Sequence, residues 1–110
     1  MDIEIISAKE LPAYVAMDKV LIVDLRDRDE YMYSHLPGAK NIPYERLETQ
    51  ELLLNYENYF RKYDKVLVYC ERGNQSMMVA RMLVKMGIQG VTFYGGMKAY
   101  EFGNNRRKRD

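Results

Sequence analysis

The chain has 110 residues, of which 47% are hydrophobic and 30% charged, as expected for one soluble globular domain. Its net charge of +1 gives no electrostatic reason to expect a nucleic acid or a membrane surface as a partner. One cysteine and one histidine exclude an internal disulfide and a Cys/His metal site. Because the acidic N-terminus is unlike a signal peptide and no apolar run is long enough to span a membrane, we predict a cytoplasmic protein.

Apolar runs alternate with helix-forming segments along the chain. We predict five short strands, at residues 3–6, 20–25, 41–42, 66–69 and 91–94. We also predict helices, at residues 10–17, 27–33, 44–63 (one or two, with a break near Asn55), 76–86 and from about residue 97. This alternation is typical of an α/β fold with a mainly parallel sheet. The run VLIVDL, residues 20–25, suits a strand that helices cover on both faces.

Local signals suggest where two of the helices begin. Ser7 and Glu10 have the spacing of a capping box, but Pro12 lacks an N–H, so we expect the first helix to start irregularly or near Glu10. Ser76 is a candidate N-cap for the helix at 76–86. On the apolar face of that helix we place Met78, Val79, Met82, Leu83 and Met86.

The stretch VLVYCERGNQS places Cys70 between a strand and a helix. Ligands of parallel sheets bind beyond the carboxyl ends of strands, and Asp24 and Cys70 both lie at such ends. Unpartnered backbone N–H groups at a helix start favour negative charge, and Gly73 lets the loop curl so that more of them point inward. A lone cysteine is commonly a small buried apolar side chain, but this position favours a thiolate. We therefore hypothesise that Cys70 is a nucleophile.

Three motifs follow one another along the chain. Residues 24–43 read DLRDRDEYMYSHLPGAKNIP, residues 70–76 read CERGNQS, and Gly95-Gly96 is followed by Tyr100. Together they resemble the single-domain rhodanese family, with its Asp-x-Arg…Glu-Tyr…His-Ile-Pro-Gly-Ala-x-Asn-Ile-Pro signature, its Cys-x-x-Gly-x-x-Ser loop and its closing Gly-Gly…Trp element. This chain has Leu36 for the usual isoleucine and Tyr100 for the tryptophan. The resemblance extends from about Ile3 to Tyr100.

The resemblance implies a three-layer α/β/α rhodanese-like domain with a five-strand, mainly parallel sheet. We assign this domain to residues 1–102 and expect the basic tail, residues 103–110, to be frayed. The implied reaction is sulfur transfer. Cys70 would take a sulfane sulfur from thiosulfate or from a persulfide donor, hold it as a persulfide and pass it to cyanide, a thiol or a protein acceptor. The substrate would bind to the loop residues Glu71, Arg72, Gly73, Asn74, Gln75 and Ser76. No metal or cofactor is implied, because the cysteine itself carries the sulfur.

The charged residues near the motifs receive more specific predictions. We expect Asp24, Arg26 and Glu30 to form a buried ion-pair network that braces the loop. The alternative is that Asp24 takes part in catalysis. His35 falls in the turn SHLPGA and is expected to be structural. Arg72 is the candidate for contact with an anionic donor, whereas Glu71 has no evident reason to lie at the mouth of an anion-binding loop. The basic run at residues 106–109 is expected to be a solubilising tail.

Two other functions are weighed against sulfur transfer. The cell-cycle dual-specificity phosphatases and related arsenate reductases share the fold, but their His-Cys-x5-Arg loop has an arginine that clamps an oxyanion. Here Tyr69 precedes the cysteine and Ser76 stands six positions after it, so this alternative is disfavoured. The other alternative is a persulfide-holding or regulatory module without efficient turnover. Because the chain has no second cysteine, any release of sulfur needs an outside nucleophile.

Overall fold

The computed structural model describes residues 1–98 and residue 100. Within these residues the strands are β1 (Glu4–Ile6), β2 (Val20–Asp24), β3 (Lys40–Asn41), β4 (Lys65–Tyr69) and β5 (Gly90–Phe93). The α-helices are α1 (Leu11–Val15), α2 (Arg28–Tyr33), α3 (Gln50–Leu53), α4 (Glu57–Phe60) and α5 (Asn74–Lys85). Short 3₁₀ turns lie at Ala8–Glu10, Tyr44–Arg46 and Leu54–Tyr56. The tail at residues 103–110, with its basic run, lies outside the described residues.

The strands form one sheet in the order β1-β5-β4-β2-β3, and every neighbouring pair is parallel. The predicted five-strand parallel sheet is therefore confirmed, with the two-residue β3 at an edge. Asp24 pairs with Tyr69, so the ends of β2 and β4 meet at one edge of the sheet. This register places Asp24 beside the residue that precedes Cys70.

Successive residues of the central strands point to opposite faces of the sheet, so each face has its own core. On one face β2 and β4 pack against α3, α4 and α5, through residues that include Leu21, Val23, Val66, Val68, Leu53, Phe60, Val79 and Leu83. On the other face the core includes Leu11, Ile22, Leu36, Leu67, Tyr69, Val91 and Phe93. The sheet is thus the middle of three layers, which is why β2 and β4 carry continuous apolar runs.

The first helix begins irregularly, as predicted. The Ser7 N–H and hydroxyl each donate to Glu10 Oε1 at 3.2 Å, and a 3₁₀ turn leads into α1. Pro12 then lies in the first turn of α1, where a missing N–H costs little. The helix ends at Val15, two residues before the predicted Met17. The predicted helix at 44–63 is shorter in the structure: a separate 3₁₀ turn lies at Tyr44–Arg46, and α3 begins only at Gln50. The predicted break near Asn55 is the 3₁₀ turn Leu54–Tyr56.

Two predictions for α5 are wrong. The helix begins at Asn74, and its N-cap is Gly73 rather than Ser76, because Gly73 adopts a φ of +101° that turns the chain into the helix earlier. Met78 is 51% exposed and does not belong to the apolar face. The ridge that faces the sheet consists of Ser76, Val79, Ala80 and Leu83. Close contact fixes this ridge, since a Cβ at Gly90 of β5 would lie 2.6 Å from the Ala80 carbonyl oxygen.

Glu4 ties the edge strand β1 to the rest of the domain. Its carboxylate accepts hydrogen bonds from the Tyr14 hydroxyl at 2.6 Å and from Lys65 Nζ at 2.9 Å. Burial alone would raise the pKa of Glu4, but these bonds and the Lys65 charge outweigh it and hold the pKa below its usual 4.5. The hydrogen bond to Glu4 raises the pKa of Tyr14 to about 12. At neutral pH Glu4 is therefore a carboxylate and Tyr14 a neutral hydroxyl, which are the forms that this hydrogen bond requires.

Glu4→Gln is expected to destabilise the protein at neutral pH and much less in acid. A carboxyl whose pKa is lowered by folding stabilises the native state above its unfolded pKa, and this stabilisation is lost as the pH falls through the folded pKa. The free energy of unfolding in urea, compared between about pH 7 and about pH 3, measures the effect. Glu48→Gln, at an exposed carboxylate, is the control. A Glu4→Gln penalty that does not change with pH would show that its charge contributes nothing.

None of the helices in residues 1–98 has the length and hydropathy that a membrane span requires.

Candidate active site

Cys70 follows the last residue of β4 and is 3% exposed. The backbone N–H groups of Gly73 and Ser76 donate to its Sγ at 3.1 and 3.4 Å. One donor belongs to the loop and the other to the first turn of α5, whose remaining N–H groups also give that end of the helix a partial positive charge. The sulfur therefore lies where a negative charge on it is stabilised.

A second segment of backbone holds the outer side of the loop. The Met97 N–H donates to the Cys70 carbonyl at 2.8 Å, and the Lys98 N–H donates to the Glu71 carbonyl at 2.9 Å. This approach needs a glycine at position 96, because a Cβ there would lie 2.4 Å from the Cys70 carbonyl oxygen. The Gly95-Gly96 motif of the sequence thus has a structural purpose: it lets the chain after β5 close over the loop.

A buried ion pair lies beside the loop. Arg26 Nη2 is 3.0 Å from Asp24 Oδ2, and Asp24 is completely buried. Burial would lower the pKa of Arg26, but the hydrogen bonds and charge of Asp24 outweigh it and raise that pKa. Arg26 also donates to the Ser34 carbonyl, and its Nη1 lies 3.6 Å from Glu71 Oε1. Asp24 and Arg26 therefore connect the end of β2 to the active-site loop.

The prediction that Glu30 joins this network is wrong. Glu30 is exposed, and among residues 1–98 and 100 it makes no ion pair with Arg26. Glu71 takes that place, because its Oε1 is the carboxylate oxygen that lies 3.6 Å from the Arg26 guanidinium. Its Oε1 is buried and has no hydrogen bond within the part of the chain that the structure describes. The acidic residue at the mouth of the loop thus acts as a link to Arg26.

Two adjoining cavities open at this edge of the sheet. One, of about 230 Å³, is lined by Cys70, Glu71, Arg72, Asn74 and Gln75. The other, of about 370 Å³, is lined by Arg26, Asp29, Glu30, Tyr33 and Glu71. Most of the predicted loop residues line the first cavity, whereas Gly73 and Ser76 support Cys70 from its other side through their N–H groups. The exposed Arg72 is the cation nearest in sequence to the sulfur.

The side chains of His35 and Tyr69 both have partners outside the first cavity. The His35 ring stacks on Tyr31 with centroids 4.0 Å apart, and its Nδ1 lies 2.8 Å from the Tyr31 carbonyl oxygen. The Tyr69 hydroxyl accepts a hydrogen bond from the Leu36 N–H at 3.0 Å, and burial raises the pKa of Tyr69 well above its usual range. Both side chains thus brace the turn after α2.

The Rhodanese-like domain family model matches residues 7–102. The chain belongs to the rhodanese-like domain family. A curated relative of this rhodanese-like domain is the thiosulfate sulfurtransferase GlpE of Coxiella burnetii, 33% identical over 86 residues, which are 74% of this chain and 72% of that protein. Other curated relatives are longer, and the chain spans less than half of their length.

Solved structures have the same fold. A rhodanese-like domain protein from Staphylococcus aureus is 30% identical, with a TM-score of 0.70 over 89% of this rhodanese-like domain and 91% of that chain. A Rhodopseudomonas palustris protein of unknown function, described as a possible tyrosine phosphatase, has a TM-score of 0.77 over 93% of this chain and 82% of its own. At 23% identity this second likeness concerns the fold alone.

The sequence did not predict a role for one buried polar residue near Cys70. Thr92 of β5 is 1% exposed, and its hydroxyl donates to Ser76 Oγ at 2.9 Å. The only signal in the sequence was a polar residue inside the strand run GVTF. Threonine is common in strands, so this signal has little weight on its own.

Proposed function

We propose that this rhodanese-like domain is a sulfurtransferase that carries sulfane sulfur on Cys70. The observation that supports this most strongly is a cysteine sulfur that accepts two backbone N–H groups and borders an open cavity. Membership of the rhodanese-like family and the likeness to a thiosulfate sulfurtransferase favour the same chemistry. The proposed donor is thiosulfate or a small persulfide, and the acceptor is cyanide, a thiol or a protein.

The reaction consists of two displacements at sulfur. The Cys70 thiolate attacks the outer sulfur of thiosulfate, the sulfur–sulfur bond of the donor breaks, and sulfite leaves with the bonding electrons. Cys70 then carries a persulfide whose outer sulfur bears the negative charge. An acceptor such as cyanide attacks that outer sulfur, thiocyanate leaves, and the bonding electrons return to Sγ as thiolate. The backbone N–H groups of Gly73 and Ser76 donate hydrogen bonds to Sγ, the atom that carries the negative charge at the start and at the end of the cycle.

The arrangement of the loop does not favour phosphoryl transfer. A cysteine phosphatase of this fold needs an arginine after the loop to hold the oxyanion through two parallel hydrogen bonds. The corresponding residue here is Ser76, which is completely buried and directed toward Cys70 and Thr92. Arg26 is already occupied by Asp24 and Ser34. The position of the phosphatase arginine therefore supplies no bidentate clamp.

Intact mass spectrometry tests the proposal directly. The protein is incubated with thiosulfate, desalted and weighed, then treated with cyanide while thiocyanate is measured. We expect the gain of one sulfur atom and its removal by cyanide. No gain from thiosulfate or from a low-molecular-weight persulfide would contradict sulfur transfer. A stable gain that neither cyanide nor a thiol removes would favour a persulfide-holding module instead.

Arg72→Gln is expected to raise the KM for thiosulfate about two- to five-fold with little change in kcat. Arg72 is an exposed cation that lines the cavity beside Cys70, and an exposed charge contributes about 1 kcal/mol or less to binding an anion. Steady-state kinetics at low and high salt measure the effect, which should shrink as salt screens the charge. Lys98→Gln, an exposed cation that does not line this cavity, is the control. Equal KM values for Arg72→Gln and wild type would exclude donor contact by Arg72.

A further inference from the structure

Three buried groups form a hydrogen-bond chain from the active site into the sheet: Cys70 Sγ, Ser76 Oγ and the Thr92 hydroxyl. Ser76 Oγ lies 3.5 Å from Cys70 Sγ and donates to the Gly73 carbonyl at 3.2 Å. The Thr92 hydroxyl donates to Ser76 Oγ at 2.9 Å. Ser76 is completely buried and Thr92 is 1% exposed, so water has no access to replace these bonds. Within the described residues the Thr92 hydroxyl has no other hydrogen-bond partner.

The donors and acceptors of this chain depend on the charge of the sulfur. In the thiol form the Cys70 S–H and the Thr92 O–H both point at Ser76 Oγ, and the Ser76 proton points at the Gly73 carbonyl. In the thiolate form the S–H is gone and the sulfur is an acceptor. A rotation of the Ser76 hydroxyl alone then redirects its proton from Gly73 to Sγ. Among residues 1–98 and 100, the Thr92 hydroxyl is then the one remaining donor to Ser76 Oγ.

We propose that Thr92 is a positioning residue for sulfur transfer, because it holds the Ser76 hydroxyl ready to donate to the Cys70 thiolate. Without the Thr92 hydroxyl, Ser76 Oγ keeps one donor when Cys70 is a thiol and none when Cys70 is a thiolate. A buried oxygen without a donor costs free energy, so the loss falls mainly on the thiolate form. A donor behind Ser76 also polarises its O–H and strengthens the bond to the sulfur.

The consequence for catalysis, which rests on the proposed function, differs between the two half-reactions. In sulfur uptake the hydrogen bond that stabilises the thiolate also makes it less nucleophilic, so Thr92 has little net effect on this step. In sulfur release Sγ is the leaving group. The persulfide also has no S–H, so the effect on release comes from the Ser76 hydroxyl, which Thr92 polarises and which donates to Sγ as the negative charge returns to it. Thr92 should therefore matter more for discharge of the persulfide than for its formation.

The test uses Thr92→Val, which keeps the shape and removes the hydroxyl, and Thr92→Ser, which keeps the hydroxyl. Two rates are measured on the full chain. One is alkylation of Cys70 by iodoacetamide at neutral pH, which is specific because the chain has one cysteine. The other is single-turnover release of sulfur from the preloaded persulfide to cyanide. We expect Thr92→Val to slow sulfur release by about two- to four-fold and alkylation by a smaller factor, and Thr92→Ser to restore most of each rate.

The Ser76→Ala variant serves as a control that distinguishes an effect of Thr92 through Ser76 from an effect of Thr92 on packing. Ser76→Ala removes the hydroxyl that connects Thr92 to Cys70, so adding Thr92→Val to it should change neither rate further. Thr92→Ala should slow alkylation and sulfur release by the same factors, relative to wild type, as Thr92→Val, whatever its effect on stability. Wild-type rates in both Thr92→Val and Thr92→Ala, or an equal loss in the Ser76→Ala background, would overturn the proposal. If wild type takes up no sulfur, the proposed function fails, and the alkylation rates alone still decide the role of Thr92.

Discussion

Cys70→Ser is expected to abolish sulfur uptake from thiosulfate while leaving the fold intact. An alcohol is almost entirely un-ionised at neutral pH and cannot form a persulfide, so the rate should fall about a thousand-fold or more. The serine oxygen can still accept the N–H groups that Gly73 and Ser76 direct at Sγ. The free energy of unfolding should therefore change by only about 1 kcal/mol or less. Thiocyanate formation and a melting curve measure the two expectations.

The matched control for Cys70→Ser lies on the adjoining helix. Met78→Ala removes an exposed sulfur-containing side chain from α5 that does not line the cavity beside Cys70. Its sulfur uptake should equal that of wild type. Sulfur uptake by Cys70→Ser at the wild-type rate would mean that another group carries the sulfur, and the proposed chemistry would be wrong.

The features that the sequence predicted are those that neighbouring residues determine. The strands at Val20–Asp24 and Lys65–Tyr69 follow from continuous apolar runs, and their parallel pairing follows from the helices between them. The N–H groups around Cys70 likewise follow from the order of strand, glycine-containing loop and helix. The break predicted near Asn55 in the segment 44–63 likewise coincides with the 3₁₀ turn Leu54–Tyr56.

The features that were missed depend on contacts between distant parts of the chain. Glu71 looked misplaced at the mouth of the loop, because nothing nearby in sequence indicates that Arg26 lies 3.6 Å away. The sequence around Thr92 is that of an ordinary strand, and its contact with Ser76 arises only because β5 lies beside α5. The N-cap of α5 was predicted wrongly for a local reason: a serine before an apolar run is a strong signal, but the φ of +101° at Gly73 decides the start. The sequence shows a glycine but not its backbone angle.

Arg26→Leu is expected to lower the free energy of unfolding by about 3–5 kcal/mol. The substitution leaves the completely buried Asp24 carboxylate without the guanidinium that lies 3.0 Å from it. It also removes the partner of Glu71 and the donor to the Ser34 carbonyl, so the connection between β2 and the active-site loop is lost. Urea unfolding monitored by circular dichroism measures the loss.

Two comparisons decide whether the buried charge is the cause. Adding Asp24→Asn to Arg26→Leu removes the stranded carboxylate, and about 1–3 kcal/mol should return, since the penalty arises mainly from leaving one partner charged. Glu57→Gln breaks the exposed pair with Arg61, where both side chains are at least one-third exposed, and should cost about 0.5 kcal/mol or less. If Arg26→Leu costs no more than Glu57→Gln, the Asp24–Arg26 pair does not stabilise this edge of the sheet. Sulfur uptake by the double variant is measured as well. Slow uptake by a protein whose stability has recovered would mean that Asp24 and Arg26 act on the active-site loop as well as stabilising the fold.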